Sequence, residues 1–109
     1  MIKDILTASG IPYRQGRYPF PPAETYVVYF DELDTSDGPD PVPGAPQLVR
    51  HNCSVELYEP EADPAAEERL EALFAANGLR WTKQDRYWLQ NTQRYQVVYE
   101  FSFTEKRRA

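Results

Sequence analysis

A chain of 109 residues suffices for one domain around a single core. Its 17 acidic residues against 12 basic ones leave a net charge of −5, which argues against a general nucleic-acid binder. No apolar run approaches the ~20 residues of a membrane span, and Met1-Ile-Lys-Asp4 lacks the basic start and apolar stretch of a secretory leader, so a soluble protein is expected. A lone cysteine, Cys53, excludes an internal disulfide framework and fits a reducing compartment. Eight Tyr, five Phe and two Trp are many for so short a chain; they fill a β-rich core or serve an interface.

In chain order, Ile2, Ile5 and Leu6 fall at helical spacing and predict a short helix over 2–9, ended by Gly10 with Pro12 beyond. Residues 13–17 fit a short edge strand in which Gly16 makes a bulge or turn, and Pro19, Pro21 and Pro22 then break regular pairing. Tyr26-Val-Val-Tyr-Phe30 is the clearest strand by propensity, apolar on both faces and therefore central or doubly covered. The stretch 34–46, with four prolines and two glycines among acidic residues, predicts a long loop, either a contact arm or a passive connector within a hairpin.

The next strand, about 47–58, alternates: Val49, His51, Cys53, Val55 and Leu57 point one way, and Arg50, Asn52, Ser54 and Glu56 the other. His51 and Cys53, the only His and Cys, share a strand face. Zinc in a structural site wants four ligands, and a Cys–His nucleophile pair is conceivable, but two partly buried sheet residues are what burial statistics favour.

Asp63 to Gly78 is a helix whose start and stop are both written out. Asp63 suits the N-cap, Pro64 the first helical position, and Gly78 the left-handed stop. Glu67 and Glu68 lie near the positive end of the dipole. Ala66, Leu70, Leu73, Phe74 and Asn77 form one stripe, apolar except at its last turn, which should pack on the sheet face that carries Val55 and Leu57.

Leu79, Trp81 and Lys83 open a further strand, polar Gln84-Asp-Arg86 bends it before Tyr87-Trp-Leu89, and Gln90-Asn-Thr-Gln93 is a turn. The last strand, about 94–104, alternates Tyr95, Val97, Tyr99, Phe101 and Phe103 against polar neighbours, and residues 105–109 read as a basic frayed tail. The resulting order (α-β-β-β-α-β-β) describes one α+β domain: a two-layer sandwich in which helices pack on one face of a mainly antiparallel sheet of four to five strands.

The short N-terminal helix, Gly16-Arg17 followed by prolines, Tyr26-Val-Val-Tyr29, the acidic helix ending Asn77-Gly78, and the closing Tyr95-Gln-Val-Val-Tyr-Glu-Phe101 together carry a likeness. In this order of elements, over nearly its whole length, the chain resembles the small tail-terminator (tail-completion or neck) proteins of long-tailed bacteriophages and prophages. The resemblance implies a non-enzymatic protein that forms a ring, typically of six copies, at the head-proximal end of the tail tube. It implies tail-tube and neck or connector proteins as partners, the host cytoplasm and then the virion as location, and no catalytic, cofactor or metal residue to carry over.

A ring needs two different adhesive surfaces on each subunit. Tyr18, Phe20 and Trp88, beside proline or polar residues, are candidates, together with Arg17 and the loop residues Asp37, Asp40 and Val42. Two rivals stand beside this reading. One is a small enzyme using Glu56, Glu59, Glu61 and Asp63, although carboxylates around a helix start also serve capping and dipole; a deep pocket holding a carboxylate pair with a raised pKa would mark it. The other is a monomeric adaptor that takes a peptide along a sheet edge.

Overall fold

The computed structural model describes residues 1–34 and 46–108. The elements follow as α1 (Ile2–Ser9), β1 (Tyr13–Gln15), β2 (Tyr26–Asp34), β3 (Pro46–Glu59), α2 (Pro64–Ala76), β4 (Trp81–Lys83), β5 (Tyr87–Leu89) and β6 (Arg94–Arg108). The expected contact residues Asp37, Asp40 and Val42 lie outside the described residues.

The two helices begin and end where local chemistry predicts. Gly10 closes α1 at φ 72°, where a side chain would be strained. Asp63 caps α2, its carboxylate accepting from the Ala66 N–H at 3.2 Å, with Pro64 as the first helical residue. At the other end the Gly78 N–H donates to the Ala75 carbonyl and the Leu79 N–H to the Phe74 carbonyl, both at 3.0 Å. This is a Schellman stop, with Gly78 at φ 70° and its apolar pair, Leu79 and Phe74, both buried.

The sheet is six-stranded and mixed, in the order β1-β2-β3-β6-β4, with β5 also on β6. It thus has more strands than the four to five predicted, and β1 lies parallel to β2. The parallel pair needs no helical crossover, because residues 16–25 make the return; the Gly16 N–H, at φ 72°, donates to the Tyr29 carbonyl at 2.8 Å as the chain turns away. The centre of the sheet is the β3–β6 pair, in register from Glu59 and Tyr95 to Pro46 and Arg108. Here the expectation of a frayed basic tail is corrected: β6 runs on to Arg108 because β3, entered at Pro46, supplies a paired partner along that whole length.

Both helices lie on one face. Leu70 and Phe74 of α2 join Ile5 and Leu6 of α1, Val27 and Tyr29 of β2, Val55 and Leu57 of β3, and Val97, Tyr99 and Phe101 of β6 in one core, with Leu73 packed against it. This α+β architecture, helices on one side of a largely antiparallel sheet, is the one predicted. The helices cover only part of the sheet. Beyond Asp31, Cys53 and Phe101, strands β2, β3 and β6 continue as a three-stranded arm, and the molecule measures 51 × 27 × 22 Å.

Candidate functional site

The densest polar cluster lies where α2, β3, β4 and β6 meet, and a shift in strand register builds it. Lys83 stands opposite Tyr99 and Tyr87 opposite Gln96, so three residues, Gln84-Asp-Arg86, face two, Val97-Val98. One extra residue makes a bulge and exchanges the faces of the strand. Trp81 and Lys83 point to the helices before it; after it Arg86 and Trp88 do, where unbroken alternation would have placed Asp85 and Tyr87.

Arg86 thereby reaches inward. Its Nε donates to Glu59 Oε1 at 3.1 Å, and its Nη2 donates to Glu67 Oε2. Lys83 Nζ lies 2.9 Å from Glu67 Oε1 and 2.9 Å from Glu71 Oε2, and the Tyr99 hydroxyl donates to Glu71 Oε2 at 2.8 Å. Glu59 Oε2 accepts the Asp63 N–H at 3.1 Å, which ties the end of β3 to the cap of α2. Glu59 is 0% exposed and Glu67 4%.

Electrostatics follow from that burial. Desolvation pushes the Glu59 carboxyl up to about 7, neighbouring Glu67 adding to the shift and Arg86 opposing it. Glu67 goes the other way: burial resists ionisation, but hydrogen bonds from Glu59, Lys83 and Arg86 hold its carboxyl below the usual range. The pair is thus split: burial favours the protonated form of Glu59, and its hydrogen bonds favour the ionised form of Glu67. Lys83, despite desolvation, is held above its usual range by Glu71 and Glu67.

A carboxylate pair with one raised pKa is the feature set above as the mark of an enzyme. Here each oxygen of Glu59 and Glu67 already accepts from Asp63, Arg86 or Lys83, and a depression lined by Glu67, Lys83, Gln84, Asp85 and Arg86 lies outside. The arrangement can clamp the bulge to α2 and store a proton.

The sign of its pH dependence follows. Glu59, raised in the folded state, contributes stability below its unfolded value of about 4.5, and that contribution is lost as pH rises towards about 7. Glu59→Gln mimics the protonated form, so its urea midpoint relative to the parent should climb between pH 5 and pH 8. The change expected is on the order of 2–3 kcal/mol. Parallel profiles for the two proteins would show that Glu59 does not hold the proton.

A second cluster sits on the arm. His51, 6% exposed, has Nδ1 2.9 Å from Asp31 Oδ1 and Nε2 2.6 Å from Glu105 Oε2, and its ring stacks on Phe103 at 4.3 Å. Carboxylates accept only, so both contacts are satisfied together when each ring nitrogen carries a proton. This residue links β2 to β6 across β3. Cys53, also buried, donates to Asp31 at 3.6 Å; burial and the adjacent Asp31 push its thiol up to about 12, which leaves too little thiolate for a nucleophile at neutral pH. Among the described residues, no group of three or more His, Cys, Asp or Glu is placed to hold a metal ion.

The predicted contact residues are dispersed. Arg17 is exposed just after the Gly16 turn, and Phe20 is 92% exposed in the β1–β2 connection. Tyr18 is half-buried, edge-on to Tyr26 at 5.3 Å with the Arg14 guanidinium 5.5 Å from its ring. Trp88, 38% exposed, packs on Tyr95 at 4.8 Å on the helix side of β5 and β6.

What the sequence did not single out is a cross-strand row on the sheet face opposite the helices: Tyr26, Tyr58, Gln96 and Tyr87 stand side by side in register. Tyr26 and Tyr58 stack at 5.0 Å, Gln96 donates to the Tyr58 hydroxyl, and Tyr87 is 66% exposed. Even-numbered Tyr26 and Tyr58 were the available signal, since the odd positions on both strands are those that enter the core.

These features define a small α+β domain with its acidic cluster closed inside and a row of aromatic side chains, from buried Tyr26 to exposed Tyr87, on the sheet face opposite the helices. The chain is similar in fold to a solved structure with 12% sequence identity, at a TM-score of 0.52, with 96% of this chain and 95% of that one covered. No family model and no curated protein matches the sequence.

Proposed function

We propose that this protein is a non-enzymatic assembly subunit of the tail-terminator or head–tail joining kind, which closes a ring at the head-proximal end of a phage or prophage tail tube. The observation that carries the reading is the helix-free sheet face, with its tyrosine row and with Phe30, Leu48 and Tyr87 exposed, on a domain whose titratable cluster is already satisfied within the fold. Apolar and aromatic side chains left on one face are suited to contact with protein. The element order and the resemblance of the sequence point the same way. Its partners are further copies of itself and the tail-tube and neck proteins, in the host cytoplasm and then the virion, with no cofactor.

Light scattering at rising concentration, with and without assembled tail-tube protein, is the test. A discrete species several-fold larger than the 12.7 kDa chain, seen as closed rings by negative-stain microscopy, is expected. A strict monomer under both conditions overturns the reading, and peptide binding by that monomer would favour a sheet-edge adaptor instead.

A further inference from the structure

On the arm, strand β6 has a partner along one side only. β3 pairs with it as far as Arg108, but β4 ends at the level of Phe101, and among the described residues no strand lies beside β6 on that side from Ser102 onward. The direction of the open backbone groups follows from a bond already made. The Gln84 N–H donates to the Val98 carbonyl at 2.9 Å, so even residues of β6 turn their N–H and C=O towards the β4 side. Ser102, Thr104 and Lys106 therefore present three successive ladder positions, uninterrupted by proline or bulge.

Cations stand at both ends of this stretch. Where β4 leaves β6, Arg80, Thr82, Asn52, Glu100 and Ser102 line a depression of about 330 Å³. Lys106 lies further along β6, on the same face as Ser102 by alternation. Arg80 and Lys106 are both exposed, and neither makes an ion pair with a described residue. Of the nearby carboxylates, Glu105 is turned to His51 on the other face, and Glu100 accepts from Gln84 Nε2 at 3.5 Å.

We infer that this edge of β6 takes a short, acidic, extended segment of a partner protein as an added strand, one carboxylate lying at Arg80 and a second at Lys106. In strand addition the backbone bonds supply affinity, and side chains at alternate positions select the partner. Ser102 and Lys106 are separated by about 14 Å of strand, so the two carboxylates belong four residues apart, on one face of the segment. The segment must be short and begin opposite Ser102, because β4 fills the lane beside β6 up to Phe101. A single lysine suffices to guard an open edge against aggregation; a second unpaired cation beside the depression, at the far end of the ladder, is what anion recognition adds. The edge is distinct from the tyrosine row, so the inference goes beyond the ring reading and does not depend on it.

The probe is a synthetic peptide of alternating Thr and Val with two Glu four residues apart, compared with its Gln counterpart and with a form N-methylated along its bonding edge. Added to the full chain, the Glu peptide should slow amide hydrogen exchange at Ser102, Thr104 and Lys106, read residue by residue by NMR. Arg80→Ala and Lys106→Ala, both at exposed positions, should each weaken binding about fivefold. Glu100→Gln should tighten it, and Lys106→Glu should turn the preference towards a peptide with Lys at the matching position. No protection of these amides at millimolar peptide overturns the inference and leaves the cations as guards of the edge. Equal binding of the N-methylated peptide overturns it in favour of diffuse charge attraction. Protection that grows with protein concentration and needs no peptide assigns the edge to a second copy and likewise overturns it. None of these readouts requires ring formation, so a failure of the ring reading is told apart from a failure of this one.

Discussion

Arg86→Ala should destabilise the protein by about 3–5 kcal/mol at pH 8, the cost of leaving buried carboxylates without their cation. Glu59 loses the donor to Oε1 and Glu67 the donor to Oε2, and neither can turn to water from under α2. Lys83 compensates only partly, since it reaches Glu67 and Glu71 but Glu59 is not among its contacts. The effect should shrink at pH 5. Arg86 opposes protonation of Glu59, so without it the carboxyl, already raised to about 7, binds its proton more readily and is neutral at that pH. Adding Glu59→Gln should recover part of the loss at pH 8, because residues in one network are not additive. Urea titrations at the two pH values check both points; an equal loss at pH 5 and pH 8 would mean that Arg86 acts through packing of its stem.

Phe74→Ala should cost about 3–5 kcal/mol at any pH, a large share of the stability of a domain this size. The ring is fully buried at the centre of an aromatic nest, with centroids 5.1 Å from Phe101, 5.4 Å from Tyr99 and 5.8 Å from Trp81. Its backbone carbonyl also closes the helix by accepting from Leu79, so a collapse around the cavity would have to disturb the helix stop. Phe74→Leu, which fills more of the space, should cost less than Phe74→Ala. An unchanged urea midpoint for Phe74→Ala would show that the α2 stripe does not carry the core.

Most of the architecture is encoded locally. Met1 to Gly10 and Asp63 to Gly78 contain their own caps, stops and apolar stripes, and both helices form within the limits those signals predict. Alternation identified the core face of β3, from Val49 to Leu57, because a strand with one buried face writes a period of two into its sequence. The strand ends were less legible: β6 continues past 104 through polar residues because β3 pairs with them, and pairing is a property of the partner.

The acidic cluster shows where local information stops. Glu67 lies three residues before Leu70 and seven before Phe74, on the buried stripe, yet its position in the first turn also suits the helix dipole. Its burial beside Glu59 is decided by Arg86, and Arg86 faces inward only because one extra residue between Lys83 and Tyr87 shifts the register against β6. Likewise His51 could be placed on the core face of its strand, but Asp31 and Glu105, 20 and 54 residues away, become its partners only when β2 and β6 flank β3. The sequence by itself determined the helices, the core stripe and the class of fold, since periodicity and capping act within a few residues. The ion-pair cluster, the tyrosine row and the His51 bridge were decided by tertiary structure, because each depends on the register between strands far apart in the chain.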